Sequence, residues 1–218
     1  IETRIYEYTN DTFLYSKPEI LYNGKPCVPR MINNLSNCTK RNQFIENLIL
    51  KEYHLGRKIL ILSDRRDYLN STLQNLNQSI GKSCCGLYVG GLKPKELRDS
   101  QEKDIILGTF SMASEGMDIP KLNTIILASP KSDIIQSVGR ILRQKKEDRK
   151  FTPKIIDIYD DFSIFKRQGE KRLKYYKSCK YNISIHTMDG NIENMETKKT
   201  KSKAGKINYA KTKICYID

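Results

Sequence analysis

At 218 residues the chain has room for one domain, or one domain with an appendage, and for a sizeable core. Its 39 Lys and Arg against 25 Asp and Glu leave a formal charge of +14, a balance that favours polyanionic partners, nucleic acid first among them, without specifying a fold. No apolar run approaches the roughly 18–20 residues needed to cross a bilayer, and the start lacks the basic, apolar and small-residue sections of a signal peptide; membrane spanning and classical secretion are disfavoured. The chain opens at Ile1 instead of Met and is expected to be a piece of something longer. The cysteines (Cys27, Cys38, Cys84, Cys85, Cys179, Cys215) include no C-x-x-C pair and read as reduced intracellular thiols, and His54 and His186 stand apart from one another, so zinc spacing is absent.

In chain order, the stretch to about Pro29 mixes Tyr, Asn, Lys and Pro and predicts a strand or two and a connector, because its prolines break any long helix or central strand. From Asn37 or Thr39 as a cap, Phe44, Ile45, Leu48, Ile49 and Leu55 recur at near-helical spacing, with Gly56 as a stop. Lys58-Ile-Leu-Ile-Leu-Ser63 is a short apolar run, as expected of a strand buried on both faces. Tyr68, Leu69, Thr72, Leu73 and Leu76 form a second helical face, Gly86-Leu-Tyr-Val89 a strand, and Pro94 opens a helix to about Ser100. Asp104–Gly108, Asn123–Ala128 and Lys154–Ile158 are further strands, with an amphipathic helix on Ile134, Ile135, Val138, Ile141 and Leu142 before the last. Such alternation predicts an α/β domain with a mostly parallel sheet covered by helices. Beyond Asp160-Asp161 comes a basic helix bearing Phe162, Phe165, Leu173 and Tyr176, then a mobile loop over 189–206 and a closing strand at 213–218. Residues 166–218 carry 14 basic and 5 acidic residues, so the tail holds most of the positive field.

Gly81-Lys82-Ser83 tempts comparison with a phosphate loop, but the position of its first glycine is Leu76 and the segment leads from helix to strand. Asp160-Asp161, as a Mg²⁺-binding pair, lacks a phosphate-loop partner and reads as a solvated turn or helix cap. The informative stretch is Gly108-Thr-Phe-Ser-Met-Ala-Ser-Glu-Gly-Met-Asp-Ile-Pro120, followed by Gln136-Ser-Val-Gly-Arg-Ile-Leu-Arg143.

These segments resemble motifs V (T-x(n)-G-x-D-x-P) and VI (Q-x-x-G-R-x-x-R) of superfamily 2 helicases, in the right order and separation. Lys58 to Arg65 looks like motif IV, and Gly90-Gly91 through Arg98 resembles the loop and helix that follow it. The resemblance covers about residues 40–160. Gln136 and the Gly-Arg-Ile-Leu-Arg run look more like the DNA-translocating branch of XPB-type and phage UvsW-type helicases than like DEAD-box proteins. Arg41 to Asp67 resembles the poxvirus transcript-release helicase and its African swine fever virus counterpart, which implies a viral parent acting in the host cytoplasm.

The resemblance implies a RecA-like three-layer domain over 37–161, preceded by a connector and strand (1–36) and followed by a basic C-terminal extension (162–218). It implies Arg140 and Arg143 as arginine fingers to the γ-phosphate of ATP, with Gly116, Asp118 and Gln136 completing the half-site. Planar guanidiniums suit that task, since phosphoryl transfer is catalysed mainly by stabilising spread negative charge. Gly139 is expected to allow close helix packing. Ser63, Asp64, Arg65, Gly90, Gly91 and Thr109 are implied to touch DNA or RNA, and because open α/β sheets place ligands at strand carboxyl ends, these loops and the 115–118 turn are expected to share one rim. Mg²⁺ would be held mainly by the N-terminal RecA-like domain of the same parent, so this piece alone is expected to lack ATPase activity. Two rivals stay open: a noncatalytic nucleic-acid-binding module of helicase-like fold, and a Rossmann-type enzyme, which would need a Gly-rich first turn that the chain lacks.

Overall fold

A computed structural model describes residues 1–115, 117–119, 121–143 and 145–195. The chain begins with β1 (Glu2–Tyr8), the short α1 (Phe13–Ser16), α2 (Val28–Ser36) and α3 (Thr39–His54). Strands and helices then alternate: β2 (Ile59–Leu62), α4 (Arg66–Ile80), β3 (Cys85–Tyr88), α5 (Pro94–Gln101), β4 (Ile105–Gly108), α6 (Phe110–Glu115), β5 (Thr124–Leu127) and α7 (Ile135–Gly139). A 3₁₀ turn over Arg140–Leu142 extends α7, and β6 (Lys154–Asp160), α8 (Ser163–Ser178), β7 (Asn182–Thr187) and β8 (Ile192–Met195) close the described chain.

Among the described residues the sheet has eight strands in the order β3-β4-β2-β5-β6-β1-β7-β8, parallel throughout except for the antiparallel β7/β8 pair. Its strands sort their side chains by parity, as a pleated strand must. Ile59, Ile61, Ile105, Leu107, Ile126, Ile156 and Ile158 join a core with Met31, Ile32 and Leu35 of α2, Ile45 and Ile49 of α3, and Tyr68, Leu69 and Leu76 of α4. Leu60, Leu62, Ile106, Ile125, Leu127 and Ile155 face the other way, onto Phe110 and Ala113 of α6, Val138 of α7, Ile141 of the turn after it and Tyr176 of α8. Two apolar faces, each covered by helices, make the three-layer α/β architecture of a RecA-like domain. The backbone packs closely where β3 meets α5: a Cβ on Gly86 would come within 2.8 Å of the Ser100 Cα.

The sheet runs across both boundaries drawn from the sequence. β1 inserts between β6 and β7, with Glu2 opposite both Lys154 and Asn182, so the opening strand and the basic extension belong to the same sheet as the motif-bearing core. The prolines of the opening stretch are accommodated: Pro29 occupies the first turn of α2, where a missing N–H costs nothing. The loop expected from 189 begins instead as a hairpin, with Thr187 N–H donating to Asn191 O and β8 starting at Ile192. The remainder of that loop and the expected strand at 213–218 lie outside the described residues.

Three buried charged groups tie helices to β6. Asp160 is not a solvated turn residue; it is buried and accepts Arg41 Nε and Nη2 of α3 at 2.8 and 2.7 Å. Asp161 pairs at the surface with Lys166 at 2.9 Å. Glu52 receives Lys154 Nζ at 2.9 Å and Arg57 Nε at 3.2 Å. Asp157 is the centre of the third group: Arg172 of α8 donates to both its oxygens, and the Tyr176 hydroxyl donates to Oδ2 at 2.8 Å. Burial opposes the charge on Arg172, yet the Asp157 carboxylate raises its pKa overall, and burial pushes the Tyr176 phenol well up.

Candidate functional site

The two motif VI arginines meet the motif V loop. Arg140, on the 3₁₀ turn after α7, donates Nη1 to the carbonyl of Met117 at 2.8 Å and Nη2 to the carbonyl of Ser114. Arg143 Nη1 lies 2.5 Å from Asp118 Oδ1. The sequence places these arginines three apart, and the 3₁₀ turn aligns positions three apart on one side, so both reach the 114–118 segment. Gly116 itself falls outside the described residues.

Their environments differ. Arg143 and Asp118 have side chains 39% and 70% exposed, so their pair is solvent-screened and worth at most about 1 kcal/mol, easily exchanged for a stronger ligand. Arg140 is part-buried; burial first, then the Arg143 cation, lower its pKa below the ordinary arginine value, and among the described residues its buried Nε has no hydrogen-bond partner. A guanidinium oriented by two carbonyls beside a second, exposed cation gives a locally positive site that favours an anion. Gly139 does not mediate close packing as expected: it is exposed, and no described atom lies within 4 Å of where its Cβ would be. Of the apolar positions expected on this helix, Ile134, Val138 and Ile141 are buried and Ile135 is 56% exposed.

The expected single rim is two stations. Asp118 lines a cavity of about 180 Å³ with Lys58, Gln101, Glu102 and Lys121, and Lys58 and Lys121 precede β2 and β5, so this station lies toward the strands' amino ends. Gln136 instead lines a cleft of about 250 Å³ with Asp64, Phe110, Ser111, Lys131 and Asp133, at the carboxyl ends. The segments that carry α6 and α7 join the two, because each helix starts at the carboxyl rim and runs back along the sheet face.

At the carboxyl rim Thr109 caps α6, its Oγ1 accepting the Met112 N–H at 3.5 Å, and Gly91 takes a φ of +85° that an L side chain would resist. Asp64 pairs with Lys131 at 3.4 Å. Ser63 is not a surface contact: it is fully buried, its Oγ 2.7 Å from Ser129 Oγ, and it accepts the Arg65 N–H at 3.1 Å. It shapes the motif IV turn from inside. Arg65 folds back onto α2, donating Nη2 to Pro29 O at 2.8 Å and Nε to Asn33 Oδ1. Sequence reasoning missed Lys131, whose ammonium stands 5.4 Å from the Phe110 ring centroid and whose carbonyl accepts Arg172 Nη1 at 2.8 Å. Arg172 carried a usable signal, since it falls on the α8 stripe of Phe165, Gly169 and Tyr176, all buried. Among the described residues no group of three His, Cys, Asp or Glu side chains is placed to hold a metal ion, and no helix is long and apolar enough to cross a membrane.

A RecA-like domain in which Arg140 and Arg143 of Q-x-x-G-R-x-x-R meet Met117 and Asp118 of T-x(n)-G-x-D-x-P has the architecture of a helicase C-terminal domain. The chain belongs to the superfamily 2 helicases, as their C-terminal RecA-like domain. The Helicase conserved C-terminal domain family matches residues 40–145. The chain is 44% identical over 172 residues, 78% of its length, to L396 of Acanthamoeba polyphaga mimivirus, a protein named as an inferred ATP-dependent RNA helicase; it spans 33% of that relative. It is 31% identical over 98 residues to QP509L of African swine fever virus, similarly named, covering 44% of this chain and 19% of the relative. Among solved structures, phage T4 UvsW superposes on 85% of this chain and 41% of its own, with a TM-score of 0.65 and 21% identity, which speaks to the fold. The chain thus spans about a third of its mimivirus relative.

Proposed function

We propose that the chain is the second motor domain of a viral ATP-dependent nucleic-acid helicase or translocase, supplying half of the nucleotide site and half of the nucleic-acid track. The observation that supports this most is the convergence of Arg140 and Arg143 on the 114–118 segment at an open face. ATP with Mg²⁺, when bound between this domain and the N-terminal RecA-like domain, supplies the phosphoryl group, and the metal ligands are assigned to that other domain. As the two domains close, Arg140 leaves the carbonyls of Ser114 and Met117 for the phosphate, and Arg143 exchanges Asp118 for phosphate oxygen. Asp118 is then free to accept from a ribose hydroxyl. Gln136 belongs to the cleft with Asp64 and Lys131, where α7 can report the state of one station to the other. Thr109, Asp64, Gly90, Gly91 and Lys131 form the track for the phosphate backbone of DNA or RNA, positioning the strand through charge and amide contacts.

In the full-length parent, Arg140→Ala should lower ATP hydrolysis by about 10³-fold or more, the range of known arginine fingers, while nucleic-acid affinity without nucleotide stays within about twofold. Hydrolysis at near wild-type rate in that variant, or robust turnover by residues 1–218 alone, would overturn the assignment.

A further inference from the structure

Between β1 and α2 the chain makes a braced turn that the motor reading leaves unused. Ile20 bridges Pro26 in antiparallel fashion, Leu21 N–H donates to Lys25 O at 2.8 Å, Gly24 N–H to Leu21 O at 2.9 Å, and Cys27 N–H to Glu19 O at 2.7 Å. Lys25 N–H donates to Asn23 Oδ1 at 3.1 Å, and Gly24 adopts a φ of +74°. The base of the turn is fastened to α2, where Asn34 Nδ2 donates to Glu19 Oε1 at 3.1 Å, and Lys17 pairs with the same carboxylate at 2.9 Å. So much bracing would ordinarily serve to bury side chains. Here they point outward: Ile20 is 60% exposed, Leu21 44%, and Tyr22 is fully exposed at the tip. A cluster of exposed apolar groups on a braced backbone marks a contact surface.

Position and charge choose the partner. β1 ends at Tyr8, opposite Asp160 at the carboxyl end of β6, so the turn departs from the same end of the sheet as Asp64, Gly91 and Thr109. The Arg65 guanidinium, bonded to Pro29 O and Asn33 Oδ1, joins motif IV to the α2 residues that directly follow the turn. Positions 20–45 contain no acidic residue, and Lys25 and Arg30 are exposed. An exposed aromatic ring flanked by cations, continuous with a rim that tracks phosphates, matches the surface that single-stranded nucleic acid uses: rings stack on bases while cations meet the backbone.

We propose that the Ile20–Pro26 turn is a base-stacking platform for unpaired nucleic acid, with Tyr22 receiving a base and Lys25 and Arg30 the flanking phosphates. This rests on the nucleic-acid track of the proposed motor and extends it beyond the helicase motifs.

The test is fluorescence anisotropy with a fluorescein-labelled single-stranded oligothymidylate and the whole chain. Tyr22→Ala should weaken binding about tenfold, the scale of one lost base–aromatic stack, and Tyr22→Phe should bind as wild type. Lys25→Ala should reduce the slope of log affinity against log salt by about 0.7. Because Tyr22 is fully exposed, its substitution should leave the melting temperature unchanged, so any loss reads as contact. Wild-type binding with Tyr22→Ala equally tight would overturn the platform while leaving the motor reading intact, whereas a wild type that fails to bind at all would remove both. If sedimentation showed that Tyr22→Ala disrupts self-association or docking of the N-terminal domain, with oligonucleotide affinity unaltered, the turn would be a protein-docking surface and the proposal would fall.

Discussion

Replacing Arg172 with Met keeps most of the aliphatic bulk in the core under α8 but removes a guanidinium that donates to Asp157 Oδ1 and Oδ2 at 2.8 Å, to Lys131 O at 2.8 Å and to Ile158 O at 3.3 Å. The carboxylate left behind is 1% exposed and keeps the Tyr176 hydroxyl as its remaining side-chain donor. Breaking a buried pair from one side costs about 3–5 kcal/mol because a charge is stranded in low dielectric. Tyr176 offsets part of this, which places the expected loss near the lower end, about 3–4 kcal/mol. For a domain of this size each kcal/mol moves the melting temperature by about 2–4 °C, so a fall of about 6–16 °C follows. Urea unfolding monitored by circular dichroism measures the loss directly. The double variant Arg172→Met/Asp157→Leu should recover at least half of it, since the stranded charge is gone. A single-variant loss below about 1 kcal/mol, or a double variant as unstable as the sum of the two singles, would refute the reasoning that α8 is pinned by charge.

Gly86→Ala should destabilise by about 1–3 kcal/mol, because the new methyl would meet the Ser100 backbone at 2.8 Å and α5 would have to move off β3; an unchanged urea midpoint would show that the approach is looser than described. His186 stacks on Tyr6 with centroids 4.7 Å apart, and burial, then the Arg4 and Lys51 cations, lower its pKa below the ordinary histidine value. The unfolded chain therefore takes up the proton first as pH falls, so this contribution is full above about pH 6.5 and is lost as pH drops through the folded-state pKa. Urea midpoints measured from pH 8 to 5 should show a decline that His186→Gln flattens, and parallel curves for the two proteins would count against it.

How legible this was in the sequence depended on whether a signal is local. β2, β4, β5 and β6 announce themselves as short Ile- and Leu-rich runs because both their faces are covered, and motifs V and VI read in chain order because their spacing is set by one strand and one helix. β1 is different: its alternation of Thr3 and Ile5 with Arg4 and Tyr6 signals a strand, but its seat between β6 and β7 depends on pairing with residues 154 and 182. Ser63 looked like a surface residue beside Asp64 and Arg65, and what buries it is Ser129, brought alongside by the β2/β5 pairing. Asp160 looked solvated for the same reason, its partner Arg41 lying at the start of a distant helix. The expected single rim failed because strand order does not say how far α6 carries motif V back along the sheet; Arg140 and Asp118 travel with it.

The interior seat of β1 has a consequence for synthesis. Glu2–Tyr8 emerges near the start of this chain, yet its first neighbour, Lys154–Asp160, is made about 150 residues later. At roughly 5–20 residues per second the strand waits about 8–30 s with both hydrogen-bonding edges unpaired. During that interval Tyr6 and Tyr8 can recruit other nascent chains or a chaperone, so the yield of folded protein should respond to translation speed more than its equilibrium stability does.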